Sequence, residues 1–231
     1  MPMEQLPLIA LLLYALYEGL LHAFEADHIL AVTNIVSQRS TVAPALKDGV
    51  FWGLGHTSTI FLIGIVMIFF KVNIPDHSFS YFEAAVGLML ILVATYRFYV
   101  FLREEQIVIH THHHHEHEGA NVQPHIHIHK KGSHSLHRAS YGIGIVHGLA
   151  GSGALVVLVM TQIDTIGSSL LYLLLFGLGS IIGMTLVAGV FSIPFSKKLI
   201  NSKGLRTALV LLSSTLCFAY GCYVIYQNLF A

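Results

Sequence analysis

Charged side chains are scarce in this sequence. Asp, Glu, Lys and Arg make up only 10% of its 231 residues, against roughly a quarter of an ordinary soluble domain. The formal net charge is zero, so there is no basic excess of the kind that binds nucleic acid. Apolar residues make up 55% of the sequence. Several apolar runs are long enough to cross a bilayer as a helix, which takes about 20 residues. The composition therefore predicts a polytopic membrane protein.

Several motifs of other protein classes are also missing. The only cysteines, Cys217 and Cys222, lie in the last apolar run, where we expect packing residues rather than a disulfide or a ligand pair. A thiol-redox carrier would need one cysteine in each half of the chain. There is no P-loop, so we expect no ATPase activity in the chain itself, and there is no His-Glu-x-x-His protease motif. The first apolar run lacks a basic segment and a small-residue cleavage site, which favours a membrane helix over a signal peptide.

The apolar runs predict an all-α membrane protein with six transmembrane helices. The first run is too long for one straight crossing, so we expect either a break near its polar residues or a short re-entrant piece. The predicted spans are 6–35, 49–70, 79–102, 140–161, 167–193 and 206–229.

Lysine and arginine predict the orientation of these spans. All of them except Lys71 lie in or beside the connections that follow the first, third and fifth spans. Because positive loops stay in the cytoplasm, we expect those three connections to be cytoplasmic and both termini to lie outside a cell (inner) membrane. The residues are Arg39, Lys47, Arg97, Arg103, Lys130, Lys131, Arg138, Lys197, Lys198, Lys203 and Arg206.

The two halves of the chain resemble each other weakly. "GLLHAFEADHILAV", from Gly19, matches "GIVHGLAGSGALVV", from Gly144, at an offset of 125, which pairs His22 with His147. "GLG" at 53–55 matches "GLG" at 177–179 at an offset of 124. At that offset the third helices also pair two tyrosines, Tyr96 with Tyr220 and Tyr99 with Tyr223.

Three helices in each half would make the halves cross the membrane in opposite senses. Such inverted repeats are typical of secondary transporters, whose sites lie near the midplane where the repeats meet. We therefore predict a first repeat at 1–103, a histidine-rich cytoplasmic loop at 104–138 and a second repeat at 139–231.

The first predicted helix carries an unusual polar cluster of His22, Glu25, Asp27 and His28. Ionisable groups inside a membrane mark ion or proton paths by default, although a single such residue often serves only to join helices. Imidazole and carboxylate ligands without thiolate suit Ni²⁺, Co²⁺ and Zn²⁺. Asp27 lies about 140° round a regular helix from His22. Both can therefore bind one ion only if the helix is distorted between them; otherwise we expect Asp27 either to orient His28 or to pair with a group on another span.

Two further intramembrane histidines extend the candidate site. His56 lies in the second span, flanked by the hydroxyl residues Thr57, Ser58 and Thr59. His147 is the repeat mate of His22 and precedes a glycine-rich segment that permits close backbone approach. A structural role remains open for each of these two histidines.

Around these residues the sequence resembles the nickel/cobalt permease family, and especially the shorter, urease-accessory-type relatives of that family. The resemblance rests on His22, then four residues, then Asp27-His28, and on Gly55-His56 followed by small hydroxyl residues. It covers about 25 positions of the sequence. It implies transport of Ni²⁺ or Co²⁺, with His22, Asp27, His28 and His56 near the selectivity site.

The segment from His110 to His137 holds eleven of the sixteen histidines. We expect a disordered linker that binds divalent metals weakly, and a cytoplasmic location from the charge bias. It could collect, receive, buffer or sense ions, and it does not indicate the direction of transport. The candidate accessory ligands are His112, His113, His114, His115, His117, His125, His127 and His129.

Together these patterns predict a secondary transporter for nickel, then cobalt or zinc, working by alternating access and without an enzymatic reaction. Its metal ligands would come from His22, Glu25, Asp27, His28, His56 and His147. No permanent cofactor is expected, and a cytoplasmic metallochaperone or metalloenzyme-maturation factor is a candidate partner. Two alternatives stay open: an exporter of a small anion or amino acid with the same two-half plan, and a membrane metalloenzyme.

Overall fold

The computed structural model describes residues 8–70, 76–105, 133–150, 163, 165–196 and 202–231. The described residues form α-helices and one short 3₁₀ helix. The helices are α1 (Leu8–His22), α2 (Ala26–Val36), α3 (Val42–Phe70), α4 (Asp76–Glu105), α5 (Ser133–Ala150), α6 (Ile166–Ser192) with its 3₁₀ extension (Ile193–Phe195), and α7 (Lys203–Leu229).

Four of these helices are long and apolar enough to cross a membrane: α3, α4, α6 and α7. The pair α1 and α2 makes a fifth span if the two are counted as one broken crossing. The multi-pass, all-helical prediction is therefore confirmed at this level. Six spans are not established, because part of the predicted fourth span, 140–161, lies outside the described residues.

The first predicted span, 6–35, is broken close to its polar residues, as the sequence indicated. α1 ends at His22, α2 begins at Ala26, and their axes differ by 55°. Glu25 leaves the helical conformation, with φ −63° and ψ 152°. The turn is closed by the amides of Phe24 and Glu25, which donate to Leu21 and His22. His22 therefore ends one helix, while Asp27 and His28 lie in the first turn of the next.

Glycines allow the helices of the two halves to pack closely, as small residues do at membrane-helix interfaces. α3 packs against α5 and α6, α1 packs against α6, and α4 packs against α7. A Cβ at Gly19 would clash with the carbonyl oxygen of Phe176, and one at Gly144 would clash with that of Trp52. Side chains at these two positions would push the helices apart.

The third helices of the two halves cross at a pair of glycines. A Cβ at Gly87 would lie 2.8 Å from the carbonyl oxygen of Gly221, and one at Gly221 would lie 2.6 Å from that of Gly87. This reciprocal contact relates α4 to α7 by an offset of 134. The predicted pairing of Tyr96 with Tyr220, at an offset of 124, stays a prediction, because two residues that touch at a helix crossing need not be equivalent positions of the two halves.

The main apolar core lies where the two halves meet. It includes Val32 of α2, Trp52 of α3, Leu90 of α4, Met184 of α6 and Cys217 of α7. Both cysteines are free thiols; Cys217 is buried, as expected of a packing residue, whereas Cys222 is exposed and does not pack in the core. Large apolar side chains elsewhere on α3, α4, α6 and α7 are exposed, which is expected for helices that face lipid.

Candidate metal centre

Three histidines from three helices converge beside the break. His22 ends α1, His28 lies in the first turn of α2, and His56 lies on α3. Each offers a ring nitrogen that lies within 4.8 Å of the nitrogens of the other two. The ring centroids of His22 and His28 are 4.6 Å apart, and those of His22 and His56 are 5.1 Å apart. On an unbroken helix, His22 and His28 would be separated by about 9 Å of rise.

A second group shares His28 with the first and contains Asp27 and His147. Their candidate ligand atoms also lie within 4.8 Å of one another. One carboxylate oxygen of Asp27 is 2.9 Å from His28 Nδ1, and the other is 2.9 Å from His147 Nε2. Asp27 therefore joins α2 to α5 through two imidazoles.

Carboxylates fix the rings of both histidines that flank the break. Glu25 Oε1 is 2.8 Å from His22 Nδ1, just as Asp27 holds His28 Nδ1. A partner on Nδ1 leaves Nε2 as the nitrogen able to bind a metal, an arrangement common around metal-ligating histidines. Both Nε2 atoms are buried and lack a hydrogen-bond partner among the described residues.

His56 has neither ring nitrogen hydrogen-bonded within the described part of the chain, although the residue is 0% exposed. The neighbouring hydroxyls bond to backbone instead. Thr57 Oγ1 donates to Gly177 of α6, and Thr59 Oγ1 donates to Ile145 of α5. Such bonds hold α3 in place and leave the imidazole free. Buried polar groups without partners are rare in folded proteins and call for an explanation; a bound cation supplies one.

The histidine cluster lies halfway along a helix that is long and apolar enough to cross a membrane. His56 is 14 residues from either end of α3, which spans Val42–Phe70. That is about 21 Å along the helix in each direction, so His56 lies at the middle of α3. Its neighbours His28 and His147 are each 1% exposed.

Trp52 forms an aromatic wall beside this cluster, and sequence reasoning missed it. Its indole stacks on His28 with a centroid distance of 5.5 Å and lies 5.5 Å from His147. It is the only tryptophan in the chain and is 1% exposed. The available signal was its position four residues before His56, which places both on one face of α3.

The structure brings together all six residues that the sequence predicted for the site. His22, His28, His56, Asp27 and His147 contribute to the two groups. Glu25 contacts His22 from the break, where its side chain is 56% exposed. The eight predicted accessory ligands between His112 and His129 lie outside the described residues.

Comparison with known proteins identifies the family. Residues 8–202 match the NicO model, described as "High-affinity nickel-transport protein". The chain belongs to the NicO family. Members of this nickel-transport family are permeases rather than enzymes, which confirms the non-enzymatic prediction and the resemblance drawn from His22, Asp27, His28 and His56.

A curated relative of this NicO chain is the "Urease accessory protein UreH" of Bacillus sp. (strain TB-90). The two are 32% identical over 194 residues, which is 84% of this chain and 81% of the relative. No solved structure matches significantly. Family membership thus establishes a multi-pass membrane protein with nickel as the implied substrate.

Proposed function

We propose that this chain is a secondary transporter that carries Ni²⁺ through the histidine cluster by alternating access. One observation carries the proposal. Three buried imidazoles from α1, α2 and α3 present ring nitrogens within 4.8 Å of one another, and these side chains retain nitrogens without partners among the described residues. Nitrogen ligands of this kind suit nickel, and they also suit cobalt and zinc, so Co²⁺ and Zn²⁺ are candidate competing substrates.

In this proposal His22, His28 and His56 bind the ion directly. The carboxylates contact two of these histidines and do not contact the ion. Asp27 holds Nδ1 of His28, and Glu25 holds Nδ1 of His22. Each carboxylate fixes a ring orientation and makes the opposite nitrogen a better donor. His147 also contacts Asp27, so it can reach the ion only after that contact is released.

We further propose that the fold consists of two inverted three-helix repeats, 1–103 and 139–231, joined by the loop 104–138. Reciprocal glycine contacts support this arrangement. Gly19 against Phe176 and Gly144 against Trp52 are the same contact seen from each half, at offsets of 125 and 124. The packing of α1 on α6 likewise has its counterpart in α5 on α3. Six spans then require the segment after α5 to complete a crossing, as α2 does after α1.

The location and partners of the transporter follow from the same assumptions. The charge bias supports a cell (inner) membrane with both termini outside and the histidine-rich loop in the cytoplasm. That loop would bind Ni²⁺ weakly through His112, His113, His114, His115, His117, His125, His127 and His129. The relative is named a urease accessory protein, which supports a cytoplasmic metallochaperone or urease-maturation factor as the partner.

Flux measurements in liposomes test the transport function. Purified protein is reconstituted around an internal metal-sensitive dye, and Ni²⁺, Co²⁺ or Zn²⁺ is added outside with a proton gradient imposed in either direction. We expect nickel flux in the parent protein and its loss in His22→Ala. Ser58→Ala is the matched control, because Ser58 is two residues from His56 on α3 but bonds only its own helix.

Absence of metal flux under every gradient would refute the transport function. Equal flux in the parent protein and His22→Ala would instead refute the assignment of the site and leave transport standing.

A further inference from the structure

The face that α3 turns toward α5 is built in three successive layers. Asp48, Trp52 and His56 follow one another at intervals of four residues on α3, so they share one face and span about 12 Å. On α5 they meet Ser140, Gly144 and then His147 with Gly148. The histidine cluster therefore lies at one level, Trp52 at the next, and Asp48 nearest to the start of both helices.

The outermost layer is a buried ion-pair network, which we call the basic-end lock: Arg39, Asp48, His137 and Ser140. Arg39 binds both oxygens of Asp48, at 2.5 and 2.7 Å. His137 Nδ1 is 2.6 Å from Asp48 Oδ1, and Ser140 Oγ donates to the same oxygen at 3.3 Å. The network connects the turn after α2 with the beginnings of α3 and α5, at the end of the bundle that the charge bias predicts to be cytoplasmic.

Because the Arg39–Asp48 pair is buried, separating its two charges costs much free energy. The exposed fractions of Arg39 and Asp48 are 7% and 1%. Removing one partner of such a pair strands the other charge in a medium of low dielectric constant, which is strongly destabilising. A conformation that separates α3 from α5 at this end must first break the pair or release it to water.

The middle layer can move at little cost in hydrogen bonds. Trp52 Nε1 is buried and has no partner among the described residues, so displacing the indole breaks no side-chain hydrogen bond there. Gly144 makes room for it, since a Cβ at that position would lie 2.8 Å from Trp52 Cδ1. The indole is therefore a steric plug held by packing, and the lock beyond it is held by charge.

We propose that Trp52 and the basic-end lock together form the gate between the histidine cluster and the cytoplasmic end. The inference rests on the proposed function, since a gate presupposes a transported ion. The structure has this gate closed. Release of the ion requires the Arg39–Asp48 pair to separate and the indole to leave the space against Gly144.

Cysteine accessibility tests the gate. In a background of Cys217→Ser and Cys222→Ser, Ser140→Cys places a thiol inside the lock, where Ser140 is 0% exposed. We expect slow reaction with a membrane-impermeant thiosulfonate added from the cytoplasmic side. Asp48→Asn should accelerate labelling by at least about tenfold, because it removes the charge that holds Arg39. Arg39→Gln should act in the same direction.

Ser192→Cys is the matched control for a general loosening of the fold. Ser192 is 1% exposed at the end of α6, and its hydroxyl donates to its own helix at Gly189. We expect Asp48→Asn to leave its labelling rate unchanged. Acceleration at both positions, or at neither, would overturn the gate.

The effect of added Ni²⁺ on labelling distinguishes failure of the gate from failure of the transport function. Ni²⁺ added from the outer side should increase labelling of Ser140→Cys as loaded protein opens inward. If Asp48→Asn accelerates labelling but Ni²⁺ neither changes labelling nor crosses the membrane in any variant, the lock still closes this end of the bundle and nickel is refuted as the transported ion. If Ni²⁺ is transported while Asp48→Asn leaves labelling unchanged, transport stands and the gate is refuted.

Discussion

At the scale of the residue, the site separates binding atoms from orienting atoms. His28 has Nδ1 against Asp27 and Nε2 without a partner among the described residues. A single carboxylate thus determines which nitrogen would face the ion in the proposed site. The same division holds for His22 and Glu25, so the two histidines beside the break are prepared in the same way.

This division gives a graded prediction for two adjacent positions. His28→Ala should abolish nickel binding at the cluster, because it removes a ligand shared by both groups. Asp27→Asn should weaken binding by about 10–100-fold, the usual effect of removing an outer-shell partner. Equilibrium dialysis with radioactive nickel measures both. Equal loss in the two variants would mean that Asp27 binds the ion directly.

Trp52 provides an optical reporter of the same site. It is the only tryptophan and lies 5.5 Å from His28, so ions held by the cluster are very close to the fluorophore. We expect Ni²⁺ and Co²⁺, which have partly filled d shells, to quench its emission, and Zn²⁺ to do so much less. Titration followed by tryptophan fluorescence checks this. Quenching that persists in His28→Ala would show that the ions bind elsewhere.

The residues of this site were predictable only where their chemistry is unusual for a membrane. Histidine and aspartate in an apolar run stand out by their cost, so His22, Asp27, His28 and His56 were found from the sequence. Trp52 is an ordinary apolar residue there, and Asp48 lies near a helix end where a charge is unremarkable. Their roles depend on the contact between α3 and α5, which no local pattern records.

At the scale of the element, glycines control how closely the helices approach. Gly144 of α5 lies against the backbone of Trp52, whereas Gly142 has no atom within 4 Å of a Cβ built on it. The two positions are two residues apart on one helix and differ mainly in their surroundings. They therefore form a natural pair for measuring the cost of separating α3 from α5.

Gly144→Ala should reduce stability by about 1–3 kcal/mol through overpacking. Gly142→Ala should be neutral or slightly stabilising, because alanine favours a helix by roughly 1 kcal/mol over glycine. Unfolding of the detergent-solubilised protein in increasing concentrations of a denaturing detergent compares the two. Similar stability in both variants would refute close packing at Gly144.

Helix boundaries illustrate a second limit of sequence reasoning. The break in the first span was expected because His22 and Asp27 lie on different faces of a regular helix, and α1 does end at His22. In contrast, α3 begins at Val42, seven residues before the predicted 49. Hydropathy underestimates the length of α3 because Lys47 and Asp48 interrupt the apolar run. The charge of Asp48 is paired with that of Arg39 only in the folded protein.

At the scale of the whole molecule, the relation between the halves determines the topology. Six crossings place both termini on one side, whereas the five crossings supported by the described helices would place them on opposite sides. The segment after α5 decides between these possibilities. The contacts of Gly19 with Phe176 and of Gly144 with Trp52 support the predicted relation between the halves, while the pairing of Tyr96 with Tyr220 stays a prediction.

Reporter fusions measure the topology directly. Alkaline phosphatase fused after Ala231 should be active, and green fluorescent protein there should be dark, because we expect the carboxyl terminus outside the cytoplasm. Fusions after Arg103 should give the opposite result. Fluorescence from both fusions, after Arg103 and after Ala231, would contradict three crossings between these positions and with them the inverted repeat.

The distance between His22 and His28 depends on the angle at the break between α1 and α2. His22 and His28 are six residues apart, yet their rings meet because two helix axes differ by 55°. Straightening the bend between α1 and α2 would move the two imidazoles apart. It would lower the affinity of the proposed site for Ni²⁺ without displacing any other ligand. In the proposed site the affinity for Ni²⁺ therefore depends on the angle between α1 and α2, and substitutions at Ala23 and Phe24 would change that angle without altering a histidine.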